Sequence, residues 1–146
     1  MPLFVVDASV TFKWLAPERG EPGTDEAVAL FEAFSSGACD FLHPSHWIAD
    51  VLAPALRQLP ASRLAHLRAL AALAVPIEDS FATLSRATEL SVSLSHHLFD
   101  TLYHAVALER GATLVTADAH YFRKASRLGN ISLLGDWPKQ TLQTIH

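Results

Sequence analysis

Leu3-Phe4-Val5-Val6-Asp7-Ala8-Ser9-Val10 is the stretch that decides the fold. Four apolar residues follow one another without alternation. That pattern predicts a strand buried on both faces, the habit of a central strand in a parallel α/β sheet. A carboxylate, Asp7, stands where the strand must end, and Val10 to Leu15 then reads as a short helix stopped near Pro17. Asp7 can also cap that helix, because a carboxylate accepts from the free amides of a helix start.

The same succession recurs at Thr113-Leu114-Val115-Thr116, a second buried strand with Asp118 just beyond it. Ile131 to Leu134 reads as a last strand, with Phe41-Leu42 and Val75-Pro76-Ile77 as shorter ones. Helical patterns lie between them. Thr24 is expected to cap a helix over Asp25 to Phe34, with Ala27, Leu30, Phe31 and Phe34 on one stripe and Gly37 past its end. Ser45 is expected to cap a helix from Trp47 to Leu59 that carries Pro54 inside it. Further helices are predicted after Pro60-Ala61-Ser62, with Leu64, Leu67, Leu70 and Leu73 at three-residue spacing, over Ser80 to Leu90, and over Leu98 to Arg110, closed by Gly111. Strands alternating with helices predict an α/β fold, a three-layer arrangement with a mainly parallel central sheet flanked by helices. No linker or repeat divides the chain, so one domain over residues 1–146 is expected, with a core from about 3 to 137.

The carboxylates follow from this layout. In an open parallel sheet, ligands bind beyond the C-terminal ends of the strands. Asp7 and Asp118 both fall there. Asp100 lies at the start of the Leu98 to Arg110 helix and Asp50 in the first half of the Trp47 to Leu59 helix, so both can reach the same rim. Four gathered carboxylates repel one another and resist ionisation unless a cation compensates. Hard oxygen donors suit Mg²⁺ or Mn²⁺. Such an ion lowers the pKa of a bound water and neutralises charge on a phosphoryl oxygen, the two needs of phosphodiester hydrolysis. His96, His97, Asp100 and His104 form a second dense group, in which His97, Asp100 and His104 are expected roughly on one helix face. Imidazoles there would favour Zn²⁺, Ni²⁺ or Mn²⁺ over Mg²⁺.

Composition bounds the rest. The chain has 146 residues, half of them hydrophobic, and a single cysteine, Cys39, so no internal disulfide can form. No apolar run approaches the ~20 residues needed to span a bilayer. The start of the chain has no basic leader and no small-residue cleavage site, so no signal peptide and a cytoplasmic setting are expected. Net charge is -4. Proteins that hold nucleic acid mainly through phosphates are usually basic, so any such contact here needs a local patch. Among Arg57, Arg63, Arg68, Arg86, Arg123, Lys124 and Arg127, the last three are the best candidates because they follow Asp118 closely. Trp14 and Trp47 can pack in the core or line a groove for a partner helix.

Four stretches together resemble a PIN domain, and within that group the VapC-type toxins of bacterial toxin–antitoxin pairs. Val5-Val6-Asp7-Ala8-Ser9-Val10, continued by Lys13-Trp14-Leu15-Ala16-Pro17-Glu18, is similar to the opening strand and first acid. Pro44-Ser45-His46-Trp47 with Asp50-Val51 resembles the second-acid segment, and Phe99 to Ala107 the third-acid helix. Gly111 to Asp118 resembles the following strand and fourth acid. The resemblance implies a metal-dependent endoribonuclease whose Asp7, Asp100 and Asp118 hold Mg²⁺ or Mn²⁺, with Asp50 as the second acid of the set. It implies that Thr116 fixes local geometry by hydrogen bonding and that Ser9 does the same beside Asp7. It further implies an RNA substrate, a homodimer and a small antitoxin protein that blocks the site. One departure stands out. The family's second acid is usually Glu, followed three residues later by Asn, where this chain has Asp50 and Ala53. Asp reaches roughly 1.5 Å less far, a large fraction of a ~2.1 Å Mg–O bond. The competing reading is therefore a PIN-like domain of weak catalysis that binds RNA or protein.

Overall fold

The computed structural model describes residues 1–138. Four parallel strands, β1 (Leu3–Val6), β2 (Asp40–Phe41), β3 (Thr113–Thr116) and β4 (Ile131–Leu133), form a sheet in the order β2-β1-β3-β4. Among the described residues seven α-helices flank it: α1 (Ala8–Leu15), α2 (Thr24–Ser35), α3 (Trp47–Gln58), α4 (Arg63–Ala72), α5 (Phe81–Leu94), α6 (Leu98–Arg110) and α7 (Ala119–Ala125). β1 and β3 are the two inner strands, which is why their sequences are apolar on both faces. Phe4, Val5, Val6, Leu114 and Val115 are all buried.

The strand order reverses direction between β1 and β3. β2 follows β1 in sequence and lies on one side of it, whereas β4 follows β3 on the other. A crevice opens at such a switch point, outside the carboxyl ends of the strands. Here those ends deliver Asp7 and Asp118. The two strand ends stay close, with the Asp7 amide donating to the Val115 carbonyl at 3.4 Å.

α6 is the central helix. Residues Thr101 to Ala107 are all buried, so the helix has no solvent face over two turns. It contacts both β1 and β3 and pairs most extensively with α5. Gly111, at φ 65°, ends it in the left-handed conformation that a side chain resists. Part of the main core is aromatic: Phe41 stacks on Phe34 at 4.3 Å, on Trp14 at 5.8 Å and on His43 at 5.5 Å.

Several local expectations need correction. Thr24 is not the cap of α2. That position belongs to Gly23, at φ 83°, while the Thr24 hydroxyl donates back to the Glu21 carbonyl. Ser45 does not cap α3; His46 occupies the cap and makes no capping bond with its side chain. Val75 to Ile77 forms no strand, only an isolated parallel bridge between Ile77 and His43. The leucine spacing in α4 marks no buried stripe, since Leu64 and Leu67 are exposed and Leu70 alone is buried in that helix. α5 runs four residues beyond its expected end, to Leu94. Pro54 sits inside α3 without ending it.

Candidate active site

The carboxyl ends of β1 and β3 open on a small cleft of about 60 Å³ lined by Asp7, Ser9, Asp50, Asp100, Asp118 and Tyr121, together with Ala8. All four acids singled out in the sequence line it. Each comes from a different element. Asp7 ends β1 and caps α1, its Oδ1 accepting from the Ser9 amide at 3.1 Å. Capping and cleft-lining are therefore two tasks of one residue. Asp118 likewise caps α7, accepting from the Tyr121 amide at 3.1 Å. Asp100 lies in the first turn of α6 and Asp50 in the first turn of α3.

Ser9 and Thr116 fix this rim. The Ser9 hydroxyl donates to Asp7 Oδ1 at 2.5 Å and accepts from the Ala117 amide at 3.0 Å. It thus ties the end of β1 to the loop after β3. The Thr116 hydroxyl accepts from the Asp118 amide at 3.0 Å and shapes the turn that presents Asp118. Tyr103, fully buried in α6, donates its hydroxyl to Asp50 Oδ2 at 2.9 Å. The shorter second acid is therefore held from beneath, a partner that the loose sequence pattern does not disclose.

Electrostatics agree with the geometry. Burial pushes the Asp7 carboxyl up to about 6; hydrogen bonds from Ser9 and Thr116 pull it down, and the neighbouring Asp100 raises it again. A carboxyl that ionises so reluctantly is one that a cation would relieve. Burial and the nearby acids also raise the Tyr103 and Tyr121 hydroxyls far above their usual range, so both stay protonated as donors.

The histidine group divides. His104 is wholly buried, its Nδ1 paired with the Tyr121 hydroxyl at 2.8 Å and its Nε2 with the Gly129 carbonyl at 2.9 Å. It does not share a ligand face with His97 and Asp100. His97 is the exposed cap residue of α6. His96, just before the helix, is the one that meets Asp100, with Nε2 3.0 Å from Oδ2. A nitrogen of His96 and one carboxylate oxygen each of Asp100 and Asp118 lie within 4.8 Å of one another, close enough to share a divalent metal ion. Lys124 Nζ stands 3.3 Å from His96 Nδ1. An ammonium only donates, so in this arrangement Nδ1 accepts and Nε2 carries the proton toward Asp100. The oxygen donors of Asp100 and Asp118 thus fit a hard cation directly. His96 would join them only after its proton moved to the other nitrogen.

A family model for the PIN domain matches residues 4–128. The chain belongs to the PIN domain family. Members are generally metal-dependent nucleases, and the cleft of this PIN domain has the donor set such chemistry needs. A comparison with curated proteins finds no match. No helix among the described residues is long and apolar enough to cross a membrane.

Proposed function

We propose that this PIN domain is an endoribonuclease that hydrolyses RNA phosphodiester bonds with Mg²⁺ or Mn²⁺. The convergence of Asp7, Asp50, Asp100 and Asp118 on one cleft at the sheet's switch point carries the reading. Asp7, Asp100 and Asp118 would hold the ion, and Asp50 would complete the acidic rim. A divalent ion at this position would lower the pKa of a water and offset charge on a phosphoryl oxygen.

The chain's own groups supply orientation. Ser9 holds the Asp7 carboxylate and anchors it to Ala117, so the first acid cannot swing from the rim. Thr116 sets the turn before Asp118. Tyr103 fixes Asp50 by one oxygen and leaves the other for a water or the substrate. These hydrogen bonds prearrange the acids, so little reorganisation is needed when substrate arrives.

The wider reading is the toxin of a toxin–antitoxin pair, made in the cytoplasm and working as a homodimer. An apolar groove of about 360 Å³ between Trp14, Leu15, Val28, Phe31 and Leu70 supports a small antitoxin partner. Phe81, Val92 and Phe99, at 86%, 76% and 60% exposure, offer apolar surface to a second copy of the chain. The alternative is a binding module with weak catalysis, favoured by one observation: the tightest ligand group is His96, Asp100 and Asp118, without Asp7 or Asp50.

Purified chain, freed of any partner and incubated with single-stranded RNA, discriminates. Cleavage that requires Mg²⁺ or Mn²⁺, stops with EDTA and is lost in Asp7→Asn is the expected result. Cleavage that persists in Asp7→Asn would sink the assignment, and RNA binding without metal-dependent cleavage would establish the alternative.

A further inference from the structure

Beside the carboxylate cleft lies a larger one, about 500 Å³, lined by Ser91, Ser95, His96, His97, His120 and Lys124. It contains no carboxylate. Its lining is one ammonium, three imidazoles and two hydroxyls; the Ser91 hydroxyl donates to the His96 carbonyl at 2.6 Å and His96 to Asp100, which leaves Lys124, His97, His120 and Ser95 to donate to an anion.

The two clefts share a wall. His96 faces the donor side and hydrogen-bonds Asp100 on the acidic side at 3.0 Å. Tyr121 lines the acidic cleft and its ring lies 4.7 Å from that of His96. His120 lines one cleft and Asp118, two residues earlier, the other. On the opposite flank a third cleft, about 380 Å³, carries Arg57, but Asp50 and Asp100 line it too and offset that charge. Of these three clefts, the one on the His96 side is lined without a carboxylate.

Lys124 is fixed in place. Its Nζ donates to the Ser95 carbonyl at 3.1 Å and to His96 Nδ1 at 3.3 Å. An ammonium has three donors, so one remains for a ligand. Holding the side chain this way removes part of the ordering cost that a free surface lysine incurs on binding. Arg123 and Arg127, its neighbours in the sequence, are exposed and line none of these clefts.

We infer that the pocket of Lys124, His97 and His120 is a phosphate subsite. It takes the backbone phosphodiester next to the one held at the carboxylates. This rests on the nucleic-acid reading above. It gives that reading a polarity: the scissile group at the acids, its neighbour at the ammonium. The imidazoles serve as N–H donors and the charge comes from Lys124.

The test is binding, not turnover. The Asp7→Asn chain, arrested for cleavage, is titrated with a fluorescein-labelled single-stranded RNA 12-mer by anisotropy, from about 50 to about 200 mM KCl. Each phosphate contact to a single strand contributes about 0.7 to the slope of log K against log salt. Lys124→Gln should lower that slope by about 0.7, and Lys124→Arg should retain it. A series of 12-mers, each with one phosphate replaced by an uncharged methylphosphonate, should contain one position that weakens the parent chain and leaves Lys124→Gln unaffected. An unchanged slope in Lys124→Gln overturns the subsite. So does an equal fall in Arg123→Gln, which would mean a diffuse basic surface. Inorganic phosphate that displaces no RNA yet binds in a Lys124-dependent way would make the pocket one for free phosphate, and would also overturn it. A chain that binds no RNA at all removes the nuclease reading with its subsite, whereas binding with an unaltered slope removes the subsite alone.

Discussion

His43 is wholly buried, stacked on Phe41 and edge-on to Trp47 at 5.1 Å, and neither ring nitrogen has a hydrogen-bond partner. Burial pushes its pKa from 6.5 down to about 4. The unfolded chain therefore takes up a proton near pH 6.5 that the folded chain refuses until about pH 4. Stability from this group is present above pH 6.5 and is lost as pH falls through that window. Between about pH 8 and pH 5 the linkage relation gives a loss of about 2 kcal/mol. Asp7 works in the opposite sense. Its folded pKa of about 6 exceeds its unfolded value of 3.8. Stability from Asp7 is present at low pH and is lost as pH rises through about 6, a loss of about 1.4 kcal/mol from pH 5 to pH 8. The two partly cancel, so the pH curve of the parent chain alone decides nothing. His43→Phe keeps the ring and removes the titration. Urea unfolding, followed by far-UV circular dichroism in EDTA, should show the variant at least as stable as the parent near pH 8. Its advantage should then grow by about 2 kcal/mol on going to pH 5. A stability difference that stays constant across that range would refute the claim that His43 is held neutral by burial.

Other consequences follow from single contacts. Tyr103→Phe removes the bond to Asp50 and should cost about 1.5 kcal/mol by thermal or urea unfolding. If Asp50 contributes to cleavage, the same variant should lower kcat more than KM in an RNA cleavage assay. His104→Leu leaves the Tyr121 hydroxyl and the Gly129 carbonyl without their partner and should destabilise by about 2–3 kcal/mol, whatever the metal present. Leu114→Ala opens a cavity in the inner strand β3 and should cost about 3 kcal/mol in the same unfolding assay.

The strands that carry the site were legible because they are apolar on both faces, a pattern that only inner parallel strands require. Asp7 and Asp118 were then fixed by position alone. Asp100 followed from the helix it begins, whose limits, Leu98 and Arg110, are those expected. The capping errors have one cause. Thr24 and Ser45 are suitable cap residues, but the backbone gives those positions to Gly23 and His46. Val75 to Ile77 has strand-like composition without a neighbour along which to pair beyond one bridge.

The histidines misled for a different reason. A helical wheel holds only inside a helix, and His96 lies before α6 begins, so it reaches Asp100 from the preceding turn. The wheel also assumes a solvent face, and α6 has none from Thr101 to Ala107. α7 was not anticipated, although Asp118 is itself a favoured helix-cap residue. Tyr103, which holds Asp50, lies a long way from it in sequence and could be found only in three dimensions.

The most direct test of the proposed metal centre is anomalous diffraction from crystals soaked in Mn²⁺. The expected result is a peak at the carboxyl ends of β1 and β3, within about 2–2.5 Å of oxygens from Asp100 and Asp118, with Asp7 bound directly or through one water. A saturated crystal with no peak in that cleft, or with Mn²⁺ bound only elsewhere, would contradict it.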